Sequence, residues 1–234
     1  MKALARKIKR CICSLLGKDL YLIRTDINVA RERFGSHTGG GWDIAIKPIN
    51  KNSIVYSFGV GKNVSFDITL IERFGLTVHA FDPTPKSIEW VKRQHFPVNF
   101  IMHEYGIMDF DGNMSFNPPE NPNYISYSII DKPATKGRSI SLPVKRLSTI
   151  MKELGHSRID ILKMDVEGAE YCIIEDMDKS HIYPEQILVE FHHKFPNVGV
   201  GKTKEAIRKL RRMGYALFYI SATRRDFCFI YKPN

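Results

Sequence analysis

The sequence predicts an α/β domain whose sheet is mostly parallel and ends in an antiparallel hairpin. From Ser53 onward, short apolar runs alternate with helical patterns, the order that builds parallel strands joined by helical crossovers. Two runs, Ile161-Leu162-Lys163-Met164 and Ile187-Leu188-Val189-Glu190-Phe191, are apolar at nearly every position, as strands covered on both faces require. Tyr215 to Ser221 and Asp226 to Tyr231, separated by a short turn, read as the closing hairpin.

Each element follows from its own residues. Ser53 to Phe58 reads as a strand, Gly59 to Asn63 as a turn and Phe66 to Phe74 as a helix. Thr77 to Phe81 is the second strand, closed by Asp82-Pro83-Thr84-Pro85, and Lys86 to Gln94 the second helix. Val98 to His103 is the third strand. Residues 106 to 143 break the rhythm. Asp111-Gly112 is a turn signal and Asn117-Pro118-Pro119-Glu120-Asn121-Pro122 a loop, so this stretch reads as an insertion or lid with two short flanking strands. Its Tyr124, Tyr127 and Ser128 are candidates for acceptor selection. Val144 to Leu154 is then a helix, Ile159 to Met164 the fourth strand, and a helix from about Gly168 leads to the fifth, Gln186 to Phe191. Thr203 to Met213 is a basic amphipathic helix before the hairpin. An antiparallel last strand suits a class I methyltransferase sheet (Rossmann-like) better than a dehydrogenase sheet, which usually ends parallel.

The 234 residues divide into a basic preface, 1–50, closed by Gly39-Gly40-Gly41, and a domain over 51–234. A net charge of +10 favours an acidic partner, whether phosphorylated substrate, anionic glycan, nucleic acid or membrane surface. Cys11, Cys13, Cys172 and Cys228 lack zinc or redox-motif spacing and suit free thiols in a reducing, cytoplasmic compartment. No stretch has the length of a membrane span. Residues 1–16 read as a basic amphipathic helix that packs on the domain, with peripheral membrane contact as the alternative.

Three groups of residues carry chemistry. Phe58-Gly59-Val60-Gly61 lies between the first strand and helix, where glycine lets the backbone approach a ligand. Asp82, about twenty residues beyond that turn, can accept hydrogen bonds from ribose hydroxyls or cap the next helix. Together they indicate a nucleoside cofactor without separating NAD from S-adenosylmethionine. The third group sits at the ends of strands four and five. Period-two alternation puts Lys163 and Asp165 on one face of their strand, and Glu190 and His192 on one face of theirs, so adjacent strands can bring all four together. They form either an ion-pair network around Lys163 or a functional cluster. Glu167 and Glu170 are candidates for capping the following helix.

Asp160-Ile161-Leu162-Lys163-Met164-Asp165-Val166-Glu167-Gly168-Ala169-Glu170, the Phe81-Asp82-Pro83 turn and the Ile187 to Phe191 strand closely resemble the FkbM family of S-adenosylmethionine-dependent methyltransferases. The resemblance spans about Ser53 to Tyr231. It implies methyl transfer, mostly to hydroxyl oxygens of sugars, glycans or natural products. It also implies that Phe58, Gly59, Gly61, Asp82 and Pro83 hold the cofactor, with Glu104, Tyr105 and Gly106 bordering the adenine. Asp165 would face the methyl group, with Glu190 and His192 beside it. The chain departs from the family at Ser57, where an acidic residue is common, and at Asn63, where glycine is. Asp67 is the carboxylate nearest in sequence to replace the first. His192 is the favoured general base. A divalent cation on Asp165, Glu190 and His192 is the alternative.

Other functions remain open at this level. Lys202, Lys204, Arg208, Lys209, Arg211 and Arg212 suit an RNA-binding or RNA-modifying enzyme, although a helix showing water a charged face is the favoured explanation, and no specific nucleic acid is predicted. An NAD-dependent oxidoreductase and a cofactor binder without activity are the remaining readings.

Overall fold

The computed structural model describes residues 2–233 except 38, 48, 122–125, 131–134, 136 and 196, with the backbone alone for 2–6. The chain opens with helix α1 (Lys2–Leu15) and a hairpin of β1 (Arg31–Phe34) and β2 (Trp42–Ala45). It continues through β3 (Ile54–Phe58), α2 (Ser65–Phe74), β4 (Thr77–Phe81), α3 (Pro85–Lys92) and β5 (Phe100–His103). Three short strands follow, β6 (Gly106–Ile107), β7 (Gly112–Phe116) and β8 (Ile140–Lys145), then α4 (Leu147–Leu154), β9 (Ile161–Met164), α5 (Glu170–Lys179) and β10 (Gln186–Glu190). The last elements are α6 (Gly199–Arg212), β11 (Tyr215–Ile220) and β12 (Asp226–Tyr231).

The main sheet has seven strands in the order β11-β12-β10-β9-β3-β4-β5. β10, β9, β3, β4 and β5 are parallel, and β12 enters antiparallel between β10 and β11. Strand order reverses between β3 and β9, which places a switch point there. Alternate side chains feed the two faces. Tyr56, Phe58, Leu162, Met164, Ile187 and Val189 join one core with α4 to α6, while Val55, Ile161 and Leu188 join the other with α2 and the hairpin. Each such aliphatic or aromatic side chain contributes about 1.5–3 kcal/mol of burial.

Three readings change. Val144 lies in β8, not in a helix. Ile140, Leu142 and Val144 alternate inward, and α4 begins only at Leu147. Pro143 is tolerated because β6 reaches only Val144 and Lys145, so the strand is open on one side at the proline. The insertion, read as 106–143, runs to Lys145 and contains three strands in a separate small sheet, β6-β8-β7. The preface also contains the β1–β2 hairpin, whose Phe34, Trp42 and Ile44 lie in the second core. Gln186, fully buried on β10, accepts from Ala45 N (2.8 Å) and donates to Ala45 O (2.9 Å), so its amide stands in for a ladder partner.

A histidine group lies under the sheet. His156 Nδ1 is 2.7 Å from Tyr56 OH, and His79 Nδ1 is 3.1 Å from His103 Nε2. Burial, helped by the neighbouring imidazoles, lowers His79 from 6.5 to about 4. The unfolded chain therefore takes up this proton first. Stability contributed by neutral His79 is complete above 6.5 and lost as pH falls through about 4. With a discount for partial solvent access, the loss is about 1–2 kcal/mol. Urea unfolding across this range should show it, and His79→Gln should flatten the acid limb.

Candidate active site

Parallel register brings four strand ends to one edge. Phe58 pairs with Phe81 and Met164, and Met164 with Val189. The residues that follow therefore emerge side by side, and Gly59, Asp82, Asp165 and Glu190 all line one cavity of about 830 Å³.

One wall is built on the glycine turn. The Phe58 ring stacks on Phe81 at 4.3 Å. Gly59 has φ 86°, and a Cβ there would fall 2.0 Å from the Asp165 carbonyl, so only glycine lets the first and fourth strand ends approach. Asp82 Oδ2 accepts from Val60 N (3.1 Å) and Gly61 N (3.0 Å), and its Oδ1 from Thr84 N (2.9 Å) and Thr84 Oγ1 (2.5 Å). These four bonds fill a carboxylate's lone-pair sites. Asp82 lines the cavity as expected, and its oxygens tie the glycine turn to the next loop.

Pro83 and Gly106 complete this wall together with Ile107. Glu104 and Tyr105, expected beside them, do not line the cavity. Glu104 pairs with Lys92 at 2.7 Å on the surface, and the Tyr105 ring leans on Phe81 under the Lys145 ammonium. The turn after β5 brings only its third residue to the edge.

Lys163 parts from the acidic group. Its Nζ donates to the carbonyls of Gly59 (2.8 Å) and Phe58 (3.3 Å). The expected network of Lys163 with Asp165, Glu190 and His192 is therefore absent. Asp67 is buried on the same side and lines the cavity, with Oδ1 lacking a hydrogen-bond partner. Burial raises its carboxyl above the usual range despite the Lys163 charge. Asn63 instead joins the hairpin to α2, donating to Gly39 O and accepting from Ser65 N.

Asp165, Glu190 and His192 do converge, with one ligand atom of each inside a 4.8 Å group. The His192 side chain is 1% exposed. Its Nε2 is 3.6 Å from Asp165 Oδ1 and 3.5 Å from Glu167 Oε2, and Nδ1 is 3.4 Å from Glu170 Oε1. Burial opposes a charged ring, but Glu170, Glu167 and Asp165 outweigh it and raise His192 to about 9. Glu190 pairs with Arg225 beside β12. Burial pushes Glu190 up to about 7, Asp165 adds to the shift and Arg225 opposes it.

Glu170 does not cap α5. Wholly buried, it accepts from Gly168 N (3.0 Å) and His192 N (2.7 Å), which ties the loop after β9 to the loop after β10. Glu167 is no cap either. It takes φ 50° and lines the cavity, and its carbonyl accepts from Ser128 Oγ at 2.8 Å. Ser126, Tyr127 and Phe116 bring the insertion to the same wall, while Tyr124 falls outside the described residues. Arg225 and Asp226 were missed from sequence, as were Arg33 and Asp43 of the hairpin. No motif marks these residues, and only the β10–β12 pairing Glu190↔Asp226 and the ion pairs of Arg31 and Arg33 with Asp43 place them.

A sheet of this order, with glycine turn and carboxylates at its switch point, is that of a class I α/β methyltransferase. Residues 30–217 match the "Methyltransferase FkbM domain", and the chain belongs to that family. An FkbM methyltransferase from Methylobacillus flagellatus superposes with a TM-score of 0.51 at 14% identity, covering 78% of this chain and 44% of that one. Human "Probable methyltransferase-like protein 24" is 23% identical over 181 residues, 73% of this chain and 43% of its own. A 97-residue stretch is 30% identical to "AMB antimetabolite synthetase AmbE" of Pseudomonas aeruginosa, 39% of this chain and 5% of that protein. The chain thus spans less than half the length of these relatives.

Two outcomes follow. Asp82→Asn places amide hydrogens against backbone donors and should cost about 1–3 kcal/mol, read by urea unfolding. His192 behaves oppositely to His79. Its folded value lies above the unfolded one, so its contribution is complete below 6.5 and lost as pH rises through about 9. The loss is about 3 kcal/mol at most, and unfolding of His192→Asn over that interval should be flatter.

Proposed function

We propose that the protein transfers the methyl group of S-adenosylmethionine to a hydroxyl of a neutral, hydroxyl-rich acceptor, a sugar, glycan or small natural product. The observation that carries this reading is the carboxylate-lined wall of Asp165, Glu167, Glu190 and Asp226 in the cavity that also holds the glycine turn. Carboxylates accept hydrogen bonds from hydroxyls and suit a sulfonium, whereas they repel phosphate or carboxylate acceptors.

The residues fit the cofactor. Phe58, Gly59, Gly61, Pro83 and Gly106 give it a close backbone wall, and Asp67 Oδ1 is available to its ammonium group. When bound, the cofactor supplies an electrophilic methyl group whose leaving group is already good. The chain's own work is to align the acceptor and remove its proton. Glu190, near 7, is suited to take that proton. His192, near 9, is already charged at neutral pH and instead holds the carboxylates in place, so the base role expected of it passes to Glu190.

The convergence of Asp165, Glu190 and His192 also suits a divalent cation. Arg225 on Glu190 and three carboxylates around His192 favour the metal-free reading. The ion pairs of Lys209 with Glu175 and Asp178, and of Arg211 with Asp26, weigh against an RNA surface on α6.

Titration calorimetry should show binding of S-adenosylhomocysteine and none of NADH; the reverse would refute the reading. Acceptors can be found by incubating extracts with labelled methyl donor. On such an acceptor, Glu190→Gln should lower kcat by about a hundredfold or more without changing S-adenosylhomocysteine affinity. Activity should survive exhaustive EDTA treatment.

A further inference from the structure

We infer that α1 and the residues after it form a docking surface for an anionic lipid bilayer. Ile8, Ile12 and Leu15 fall at i, i+4 and i+7 and face outward, 52%, 52% and 76% exposed, with Leu16 at 66% continuing the stripe. The opposite side is fastened to the domain. Ser14 is buried, its Oγ accepts from Leu22 N (3.1 Å) and its carbonyl from Lys204 Nζ on α6 (3.1 Å), while Arg10 pairs with Asp19 at 3.0 Å. The helix is thus held with its apolar face to solvent.

Charge identifies the occupant. Residues 1–18 contain Lys2, Arg6, Lys7, Lys9, Arg10 and Lys18 and no acidic residue. Lys7, Lys9 and Lys18 are exposed. At the foot of the helix, the guanidiniums of Arg10, Arg24 and Arg224 gather around Tyr21, at 4.9, 5.7 and 5.3 Å from its ring centre. An apolar stripe bordered by cations is the pattern of a helix lying in a bilayer interface. The fourteen residues of α1 are too few to span, and among the described residues no helix is long and apolar enough to cross a membrane. A nucleic acid would use the cations and leave the aliphatic side chains uncovered. A second copy would bring like charge against like.

The surface lies beside the cavity. Arg224 Nη1 donates to the carbonyls of Leu20 and Ile23, and the preceding Ser221, Ala222 and Thr223 line the cavity wall. A docked molecule therefore holds its cavity near the lipid headgroups. This inference does not depend on the catalytic reading.

Flotation of the full chain with vesicles of phosphatidylglycerol and phosphatidylcholine, against phosphatidylcholine alone, tests it. Binding to the anionic vesicles is expected. It should fall at least about tenfold in Lys7→Glu/Lys9→Glu and be lost in Ile12→Glu/Leu16→Glu. Thermal unfolding checks that both variants remain folded. Wild-type protein left in the soluble fraction, equal binding to both vesicle types, or variants that bind like wild type would each overturn the inference.

Discussion

Glu170 has no exposure to water, and it is an acceptor shared by the loops that leave β9 and β10. A buried carboxylate without compensation costs several kcal/mol, so the rest of the site is constrained by how its charge is met. The two amides meet part of it and the His192 ring meets the rest from 3.4 Å. That cation then balances Asp165 and Glu167, which would otherwise repel each other across the same wall. Arg225 performs the same service for Glu190 from just before the adjacent antiparallel strand. The hairpin that closes the sheet is therefore part of the site's electrostatics as well as its edge.

The opposite wall obeys a steric constraint. Gly59 and Asp165 approach so closely that a single methyl group would separate the first and fourth strand ends. Asp82 fixes the turn from the other side with all its lone-pair sites occupied. Charge balance on one side and close packing on the other leave the cavity little freedom to collapse. Fixed dipoles and charges of this kind stabilise a reacting centre without reorganising.

Much of the fold was legible because its signals are local. Apolar runs, the glycine turn and the antiparallel end all repeat known periodicities, and the convergence of Asp165, Glu190 and His192 follows from strand alternation at one sheet edge. What escaped depends on partners distant in sequence. Arg31-Glu32-Arg33-Phe34 has no strand pattern and is held in a hairpin by Asp43 and by pairing with β2, which Gln186 anchors to the sheet. β8 alternates correctly, but Pro143 argues against a strand until the short reach of β6 is known. The role of Glu170 was misjudged for the same reason. A carboxylate near a helix start looks like a cap, and only the tertiary structure shows which amides it meets.

Net charge does not describe the cavity. The chain carries +10, which predicts acidic partners, yet its cavity presents Asp67, Asp165, Glu167, Glu190 and Asp226. Arg33, Lys62 and Lys163 also line it, Arg33 paired with Asp43 and Lys163 bonded to the Gly59 and Phe58 carbonyls, while other cations lie on α1 and the Tyr21 cluster, on α6 in ion pairs, and on Arg225 against Glu190. Exposed charges separated by more than about 10 Å are largely screened by salt, whereas those lining a partly buried cavity are screened much less. A ligand in the cavity therefore responds to the nearby carboxylates, and a surface approaching from outside responds to the basic helix. The two fields suit the different chemistry proposed for them on one small domain, a cationic donor with a neutral acceptor within and an anionic surface without.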